Sequence, residues 1–309
     1  MGRIYELVRK FPEKIKESYN LKVPKTDKDF NRIVFVGMGG NYIAGQVLRE
    51  FLRNEIQIDV FSDNFKSDDK TLIILASYSG DTREVINIFN KFRKKDNLLV
   101  VSSGGELLKK AEKKNVKLIR IPPNINQRFT FAECFFPILK FLEVSGLVKD
   151  KSKIIKKTIK DLNNEKSRIE RDAINLAILL KDEHPLFYSS NFFYPSAYRM
   201  QTAIEEDAKI ICHSNKITEL FHNELEALPA SYFYPVLILD DKELNPFKKQ
   251  IKFFKNHIKE FYEIGYKRYP REERMFFIFY FIDFLGYHLS RLKMTDMGET
   301  PLSDKIKKL

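Results

Sequence analysis

Residues Ile74-Leu-Ala-Ser77-Tyr-Ser79-Gly80-Asp81-Thr82-Arg-Glu84 pass from an apolar run to a helical pattern through a hydroxyl-rich turn. Leu72 to Leu75 reads as a buried strand, and Val85, Ile86, Ile88 and Phe89 lie on one face of the helix that follows. A strand, a turn bearing Ser77, Ser79 and Thr82, and a helix N-terminus together make an anion site. The first helical amides have no intrahelical partner, and the hydroxyls add donors. Gly80 lets the backbone come close. Phosphate is the anion this arrangement suits. The same residue types also make an ordinary N-cap and turn, so the turn alone leaves both readings open.

Outward from this turn the pattern repeats. Apolar runs at 33–36, 57–61, 98–101 and 117–121 predict further strands. Helical patterns run from Gly37-Met-Gly-Gly40 to Phe51, and over 82–94, 105–114 and 129–145. Strands alternating with helices imply a mostly parallel sheet covered on both faces. Residues 149–182 are polar, charged and helix-periodic, and read as a connecting helical segment. The pattern then restarts. Leu186-Phe-Tyr188 is a strand, a helix runs from near Pro195 through Glu206, and strands follow at 210–213, 232–239 and, briefly, 260–263. Helices are expected over 247–256 and 271–293, the latter so rich in Phe that it reads as core. The expected fold class is α/β, with two similar parallel-sheet halves, 1–148 and 149–309, joined by a helical segment, and a helical C-terminus. No close internal repeat links the halves, so the similarity is architectural. In such sheets ligands bind beyond the carboxyl ends of the strands.

Composition narrows the function. The 309 residues are 43% hydrophobic and 31% charged, a soluble globular profile. No apolar run reaches the roughly 20 residues of a membrane span. The first ten residues lack the apolar core of a signal peptide. Cys134 and Cys212 are too few for a disulfide framework or a cysteine-built metal site, and the cytoplasm is the expected location. The net charge of +12 comes from scattered lysines rather than a basic stripe with interleaved aromatics, which argues against nucleic acid. That positive field would attract an anionic sugar phosphate. The Lys, Ile and Glu content, with few glycines, hints at a heat-adapted source.

Gly37-Met-Gly39-Gly40-Asn41-Tyr-Ile-Ala-Gly45 also follows a strand and opens a helix. A dinucleotide fingerprint needs glycine at the sixth position, where Tyr42 stands, and Gly45 comes three residues late. Asp59 and Asp63 lie near the ribose-binding distance and keep that alternative in view. The second phosphate-like turn at Ser77 to Thr82 is better explained by one phosphomonoester held between two turns.

Candidate acid–base groups lie in the second half. Glu206 is flanked by Glu205 and Asp207, and like charges raise a carboxyl pKa in a way that suits a proton-abstracting base. A solvated acidic helix face reads the same way. His222, in Glu219-Leu-Phe-His222-Asn-Glu224, can be oriented by Asn or Glu, and histidine is the side chain type suited to proton transfer near neutrality, although a lone histidine is more often structural. Arg128 opens a helix after Pro122-Pro-Asn-Ile-Asn-Gln127; beside a sugar it could stabilise an enediolate oxygen, and as an exposed arginine it would do nothing. No spaced histidine and carboxylate set suggests a metal, and no serine has a recognisable base partner.

Together these residues resemble the archaeal bifunctional phosphoglucose/phosphomannose isomerases of the sugar-isomerase (SIS) fold superfamily, over nearly the whole chain. The family's first loop, Gly-Met-Gly-Gly-Ser, is matched by Gly37 to Asn41, and its Ser-Tyr-Ser-Gly-Asn-Thr by Ser77 to Thr82, with Asp81 for Asn. Its Pro-Arg corresponds to Gln127-Arg128. Its segment containing the catalytic glutamate is similar to Arg199 through Lys209, which places that glutamate on Glu206. Its Pro-Glu-Leu-Asn-His-Asn-Glu resembles Thr218 through Glu224, and its Thr-Pro and closing lysine resemble Thr300-Pro301 and Lys307.

The resemblance implies two SIS-type α/β/α sandwich halves, the first binding phosphate and the second carrying the glutamate and histidine. It implies an aldose–ketose isomerase acting on a phosphorylated hexose, with no cofactor and no metal. Gly40, Asn41, Ser77, Ser79 and Thr82 would hold the phosphate. His222 and Lys307 would open the ring, Glu206 would move the proton, Arg128 would stabilise the enediolate, and Thr300 would govern epimer tolerance. The resemblance further implies a homodimer with His222 supplied across the interface. Asn41, Asp81, Glu205 and Asp207 depart from the family pattern. The alternatives are a non-catalytic sugar-phosphate sensor and an isomerase of another phosphosugar, on the same fold.

Overall fold

The computed structural model describes residues 2–61, 65–92, 95–123, 127–228 and 232–306. Two helices open the chain, α1 (Gly2–Arg9) and α2 (Phe11–Tyr19). Alternation follows: β1 (Arg32–Gly37), α3 (Gly40–Phe51), β2 (Gln57–Phe61), β3 (Thr71–Ala76), α4 (Arg83–Lys91), β4 (Leu98–Ser102), α5 (Gly105–Lys113), β5 (Lys117–Arg120) and α6 (Phe131–Val144). The connecting segment is one helix, α7 (Ser152–Leu180). Then come β6 (His184–Ser189), α8 (Tyr194–Asp207), β7 (His213–Lys216), the short α9 (Ile217–Glu219), a π-turn (Leu220–Glu224) and α10 (Leu225–Ala227). The chain ends with β8 (Phe233–Ile238), α11 (Lys248–His257), β9 (Tyr262–Glu263), α12 (Arg271–Leu292) and α13 (Pro301–Ile306).

Lys10–Lys160 forms one compact unit; Asp161 onward, with the segment that ends at Arg9, forms the other. Helix α1 joins the second unit through specific contacts. Tyr280 donates its hydroxyl to the Arg9 carbonyl at 2.9 Å, Tyr5 donates to Glu170 at 2.7 Å, and the Tyr5 and Tyr287 rings lie 5.2 Å apart.

The first unit holds a parallel sheet in the order β2-β1-β3-β4-β5. Strand β3 is buried along its whole length and β1 from Ile33 onward, which is why both read as unbroken apolar runs. Successive side chains leave opposite faces. Val34, Val36, Ile73, Leu75 and Val100 pack with Val85 and Phe89 of α4 and Leu107 of α5. On β1, Phe35 meets α3, where a Cβ built on Gly45 would fall 2.5 Å from the Phe35 ring. Gly45 thus does the close helix–strand packing. The connections from β1 and β3 run to opposite sides, so the strand order reverses between these two neighbours, the point at which sheets of this kind bind ligands beyond the carboxyl ends of their strands.

The second unit repeats the design with the order β7-β6-β8-β9, all parallel, reversing between β6 and β8. One face is filled by Leu220, Leu237, Leu239 and Phe254, and α8 packs on α12. Helix α12 is core: Phe276, Phe277, Phe279, Phe281 and Phe284 are all buried.

One expected strand is displaced. The apolar letters Ile210-Ile-Cys212 suggest a strand at 210–213, but the ladder partner of Leu186–Ser189 is His213–Lys216. Lys209, at φ +60°, turns the chain, so Ile210 and Cys212 point inward while Ile211 is 72% exposed. Strand β7 is the polar edge of its sheet and carries no apolar signal of its own. Both cysteines are buried, and burial pushes the Cys134 thiol up to about 12. Among the described residues no helix is long and apolar enough to cross a membrane, and no group of three or more His, Cys, Asp or Glu could hold a metal ion.

Candidate functional site

The two turns singled out in the first unit lie at the carboxyl ends of neighbouring strands β1 and β3, where the strand order reverses. In the second turn the Ser77 and Thr82 hydroxyl oxygens lie 2.8 Å apart, and Ser77 Oγ accepts the Gly80 N–H at 3.1 Å. Ser77 is fully buried, whereas Ser79 and Thr82 are half-buried. Ser77 therefore shapes the turn, and Ser79 and Thr82 are the hydroxyls within a ligand's reach. Helix α4 starts directly after Thr82, so its first amides lack intrahelical acceptors. Gly80 sits at φ +78°, and a Cβ there would lie 1.8 Å from the Gly104 carbonyl oxygen. Only glycine allows this turn to close on the one between β4 and α5.

Asp81 has a structural task beside this turn. Its Oδ1 accepts the Glu106 N–H at 2.9 Å, in the first turn of α5. The α5 N-cap is Gly104, which brings no capping side chain, so Asp81 supplies the acceptor and a favourable charge at the helix N-terminus.

In the glycine turn, Gly39 takes φ +54° and α3 begins at Gly40. The Asn41 N–H donates to the Met38 carbonyl at 3.1 Å, and the Ile43 N–H to Gly39 at 3.1 Å. With the Asn41 and Ile43 amides engaged, the Gly40 amide and the Asn41 side chain are candidate donors to an anion at this turn. A Cβ on Gly37 would meet Asn41 Cβ at 2.9 Å, so the strand end and helix start are in direct contact. Arg128 is half-buried in a short 3-10 turn, Gln127–Phe129, ahead of α6. Lys14 fixes that turn: its Nζ donates to the Phe129 carbonyl at 2.8 Å and pairs with Glu133 at 3.2 Å.

In the second unit Glu206 is exposed in the last turn of α8. Its acidic neighbours turn elsewhere. Glu205 accepts from Gln201 at 3.1 Å, and the buried Asp207 places Oδ2 against Gly286 of α12. A buried ion pair, Arg199 to Asp283 at 3.4 Å, holds α8 on α12. The Lys209 ammonium donates to the carbonyls of Glu206 and Glu299, both at 2.6 Å, and so joins the end of α8 to the residue before Thr300. Thr300 is half-buried ahead of α13. Lys307 lies outside the described residues.

His222 is exposed on the π-turn. The flanking groups do not orient its ring: Asn223 is exposed, and Glu224 accepts from Tyr188 and Asn215, each at 2.5 Å. Among the described residues the His222 ring makes no hydrogen bond. Beside the turn is a cavity of about 450 Å³, lined by Tyr188, Ser214, Asn215, Glu224, Leu228 and Phe233 among others.

A family model described as the bacterial phospho-glucose isomerase C-terminal SIS domain matches residues 169–309. A bifunctional phosphoglucose/phosphomannose isomerase of Thermoplasma volcanium is 31% identical, over 96% of this chain and 95% of its own length. The chain belongs to the bifunctional phosphoglucose/phosphomannose isomerase family. Its relative of the same description in Caldicellulosiruptor bescii is 27% identical over 98% of both chains. Among solved structures, a glucosamine-6-phosphate deaminase from Thermotoga maritima superposes with a TM-score of 0.74 at 15% identity, covering 97% of each chain, a likeness of fold. The two parallel-sheet α/β units and the helical C-terminus share the fold of such phosphosugar enzymes.

Lys14, Lys209, Tyr188 and Asn215 bond to the segments that carry Arg128, Glu206 and His222, although none of them is a candidate site residue of the sequence. Lys209 closes the Arg199–Lys209 segment, so its place beside Glu206 was available as a signal. Tyr188 and Asn215 sit in different strands, and nothing in their spacing links them to Glu224.

Proposed function

We propose that this chain interconverts glucose 6-phosphate and mannose 6-phosphate with fructose 6-phosphate. Membership of the isomerase family over almost the full length carries the proposal. In it, Ser79, Thr82, the Gly40 amide and the Asn41 side chain hold the phosphate, and the buried Ser77 keeps their turn in shape. His222, assisted by Lys307, moves a proton between the C1 hydroxyl and the ring oxygen and so opens the ring. Glu206 removes the C2 proton of the open-chain aldose, leaving a cis-enediolate, and returns it to C1. The hydroxyl proton passes from O2 to O1, so the product is the ketose with no net gain or loss of atoms or electrons. Arg128 offsets the negative charge on the enediolate oxygens, a division of labour between base and electrostatic stabiliser that triose phosphate isomerase also uses.

Glucose and mannose differ only at C2, the carbon that becomes planar in the enediolate. One intermediate therefore serves both sugars, and Thr300 tunes the face to which the proton returns. We further propose a cytoplasmic homodimer in which a second copy contributes His222; the exposure of that ring and the lack of a hydrogen bond to it among the described residues support this.

Purified protein is to be supplied with each aldose phosphate in the presence of chelator, and fructose 6-phosphate measured. Turnover of both sugars is expected. No turnover combined with phosphate-dependent thermal stabilisation would make the chain a sensor, and turnover of glucosamine 6-phosphate alone would replace the substrate. For the dimer, inactive Glu206→Gln and His222→Gln chains are mixed after unfolding. If the histidine acts across the interface, hybrid dimers keep one intact site in two and activity returns to about a quarter of the native level. No recovery would place His222 in its own subunit's site.

A further inference from the structure

The geometry points to Glu224 as a positioning residue, clamped by Tyr188 and Asn215 so that the π-turn presents His222 in a fixed direction. The inference rests on the proposed role of His222. Tyr188 and Asn215 are register partners on the adjacent parallel strands β6 and β7, so their side chains leave the same face of the sheet. Both reach the same carboxylate, Tyr188 Oη at Glu224 Oε2 and Asn215 Nδ2 at Oε1, each at 2.5 Å. Two donors on two oxygens fix the carboxylate in direction as well as in place. Burial pushes the Tyr188 phenol far above its ordinary range, so it remains a donor at any working pH.

Residues two apart on a helical turn face roughly opposite sides. With Glu224 held toward the sheet, His222 is turned outward, in keeping with a half-buried Glu224 and an exposed His222. Packing does not do this work alone. Leu220 anchors the start of the turn in the core, but the cavity of about 450 Å³ lies against Glu224, Ala227 and Leu228. Leu228 is still core on that side, and the carboxylate clamp adds the direction that apolar packing beside a cavity leaves unset. A π-turn is uncommon and is maintained only where specific contacts favour it over a regular helix.

The test is a double-mutant cycle on the full chain, with kcat and KM measured from ring-closed glucose 6-phosphate. Tyr188→Phe removes one hydroxyl and keeps the ring. It is expected to lower kcat about tenfold, as a misplacement well under an ångström does, with KM within about twofold. In a His222→Gln background the same substitution is expected to cost nothing further, because its effect passes through His222. Asn215→Ala is expected to behave alike, which guards against a folding defect peculiar to one variant. If Tyr188→Phe and Asn215→Ala leave kcat unchanged, or cost the same factor with His222 already removed, the clamp does not act through the histidine and the inference fails. If His222→Gln itself leaves turnover intact, the histidine's proposed role fails first, and the clamp has nothing to position.

Discussion

Each unit has its own parallel sheet whose strand order reverses beside its first strand, yet the turns at that reversal are of opposite character. In the first unit they offer donors: Ser79, Thr82, the Gly40 amide and the first amides of α4. In the second unit the corresponding turns are closed by the protein's own groups. Ser190 donates its N–H to the Ile238 carbonyl at 3.1 Å, and its Oγ accepts the Asp240 N–H at 3.2 Å. Asp240 is buried, with Oδ1 accepting the Lys242 N–H at 3.0 Å and Oδ2 3.9 Å from Arg271. Glu243 accepts the Phe192 N–H at 3.1 Å, and Arg274 donates to the Leu239 carbonyl at 2.5 Å. A phosphate arriving here would meet fixed carboxylates and find the Ser190, Phe192 and Asp240 amides already engaged. The sheet provides a crevice in both units; the turn residues decide whether it takes an anion.

The division has a first consequence for catalysis. If the second unit supplies chemistry rather than phosphate binding, Glu206→Gln should lower kcat by about 10²–10⁴-fold while KM for the sugar phosphate stays within a few-fold. The exposed position of Glu206 means the substitution should leave the unfolding midpoint unmoved. A large rise in KM with kcat preserved would reverse the assignment and make Glu206 a binding group.

Gly80→Ala tests the first unit's turn at its backbone. The residue is held at φ +78°, and an added methyl would fall 1.8 Å from a backbone carbonyl oxygen that no rotamer change can move. We expect a loss of at least about 3 kcal/mol in urea unfolding and weaker phosphate binding, since the turn must open to admit the methyl. The second unit has no such requirement. Ser190 sits at φ −63°, ψ 162°, an ordinary extended conformation. Equal tolerance of Ala at both positions would contradict the close approach.

A matched pair of hydroxyl deletions sharpens the contrast. Thr82→Val removes a donor to a dianionic group and should raise KM about tenfold to a hundredfold, and abolish thermal stabilisation by inorganic phosphate. Ser190→Ala should leave both unchanged and cost about 1 kcal/mol of stability, because the buried Asp240 N–H loses its acceptor. If Ser190→Ala weakens phosphate binding, the second crevice is open after all.

The fold behind this contrast is legible in the sequence, for definable reasons, while the contrast itself is not. Buried parallel strands show as apolar runs, so β1, β3, β4 and β8 were readable, and the glycine and hydroxyl turns fall where those runs stop. The letters misplace strand β7, because an edge strand of His213, Ser214, Asn215 and Lys216 has no apolar signature, while Ile210-Ile-Cys212 imitates one. Helices α1 and α2 do carry signals, an amphipathic pattern in both and Pro12 in the first turn of α2, but they precede the strand–helix alternation and are not among the expected elements. At the site, residue types were readable but their states were not. Nothing in the letters says that Ser77 is buried, that the Asn41 amide is taken by Met38, or that Glu224 turns toward Tyr188 and Asn215 rather than His222. Those facts depend on pairings across strands and turns, which local spacing does not encode.

Asp81 is the sharpest of these cases, because its carboxylate beside a phosphate turn invites a reading of repulsion. Its Oδ1 instead accepts the Glu106 N–H at 2.9 Å and lies 2.7 Å from where a Cβ on Gly105 would be. That position satisfies an orphan amide of α5 and sets a negative charge at the positive end of a helix. Asp81→Asn keeps an oxygen acceptor and removes the charge. We therefore expect a stability loss of only about 0.3–1 kcal/mol, arising at α5. Because the residue is exposed and its charge screened, the KM for a sugar phosphate should fall no more than about twofold. A tenfold fall would mean that the carboxylate opposes the phosphate directly, and the first unit's turn would then owe its affinity to donors strong enough to overcome it.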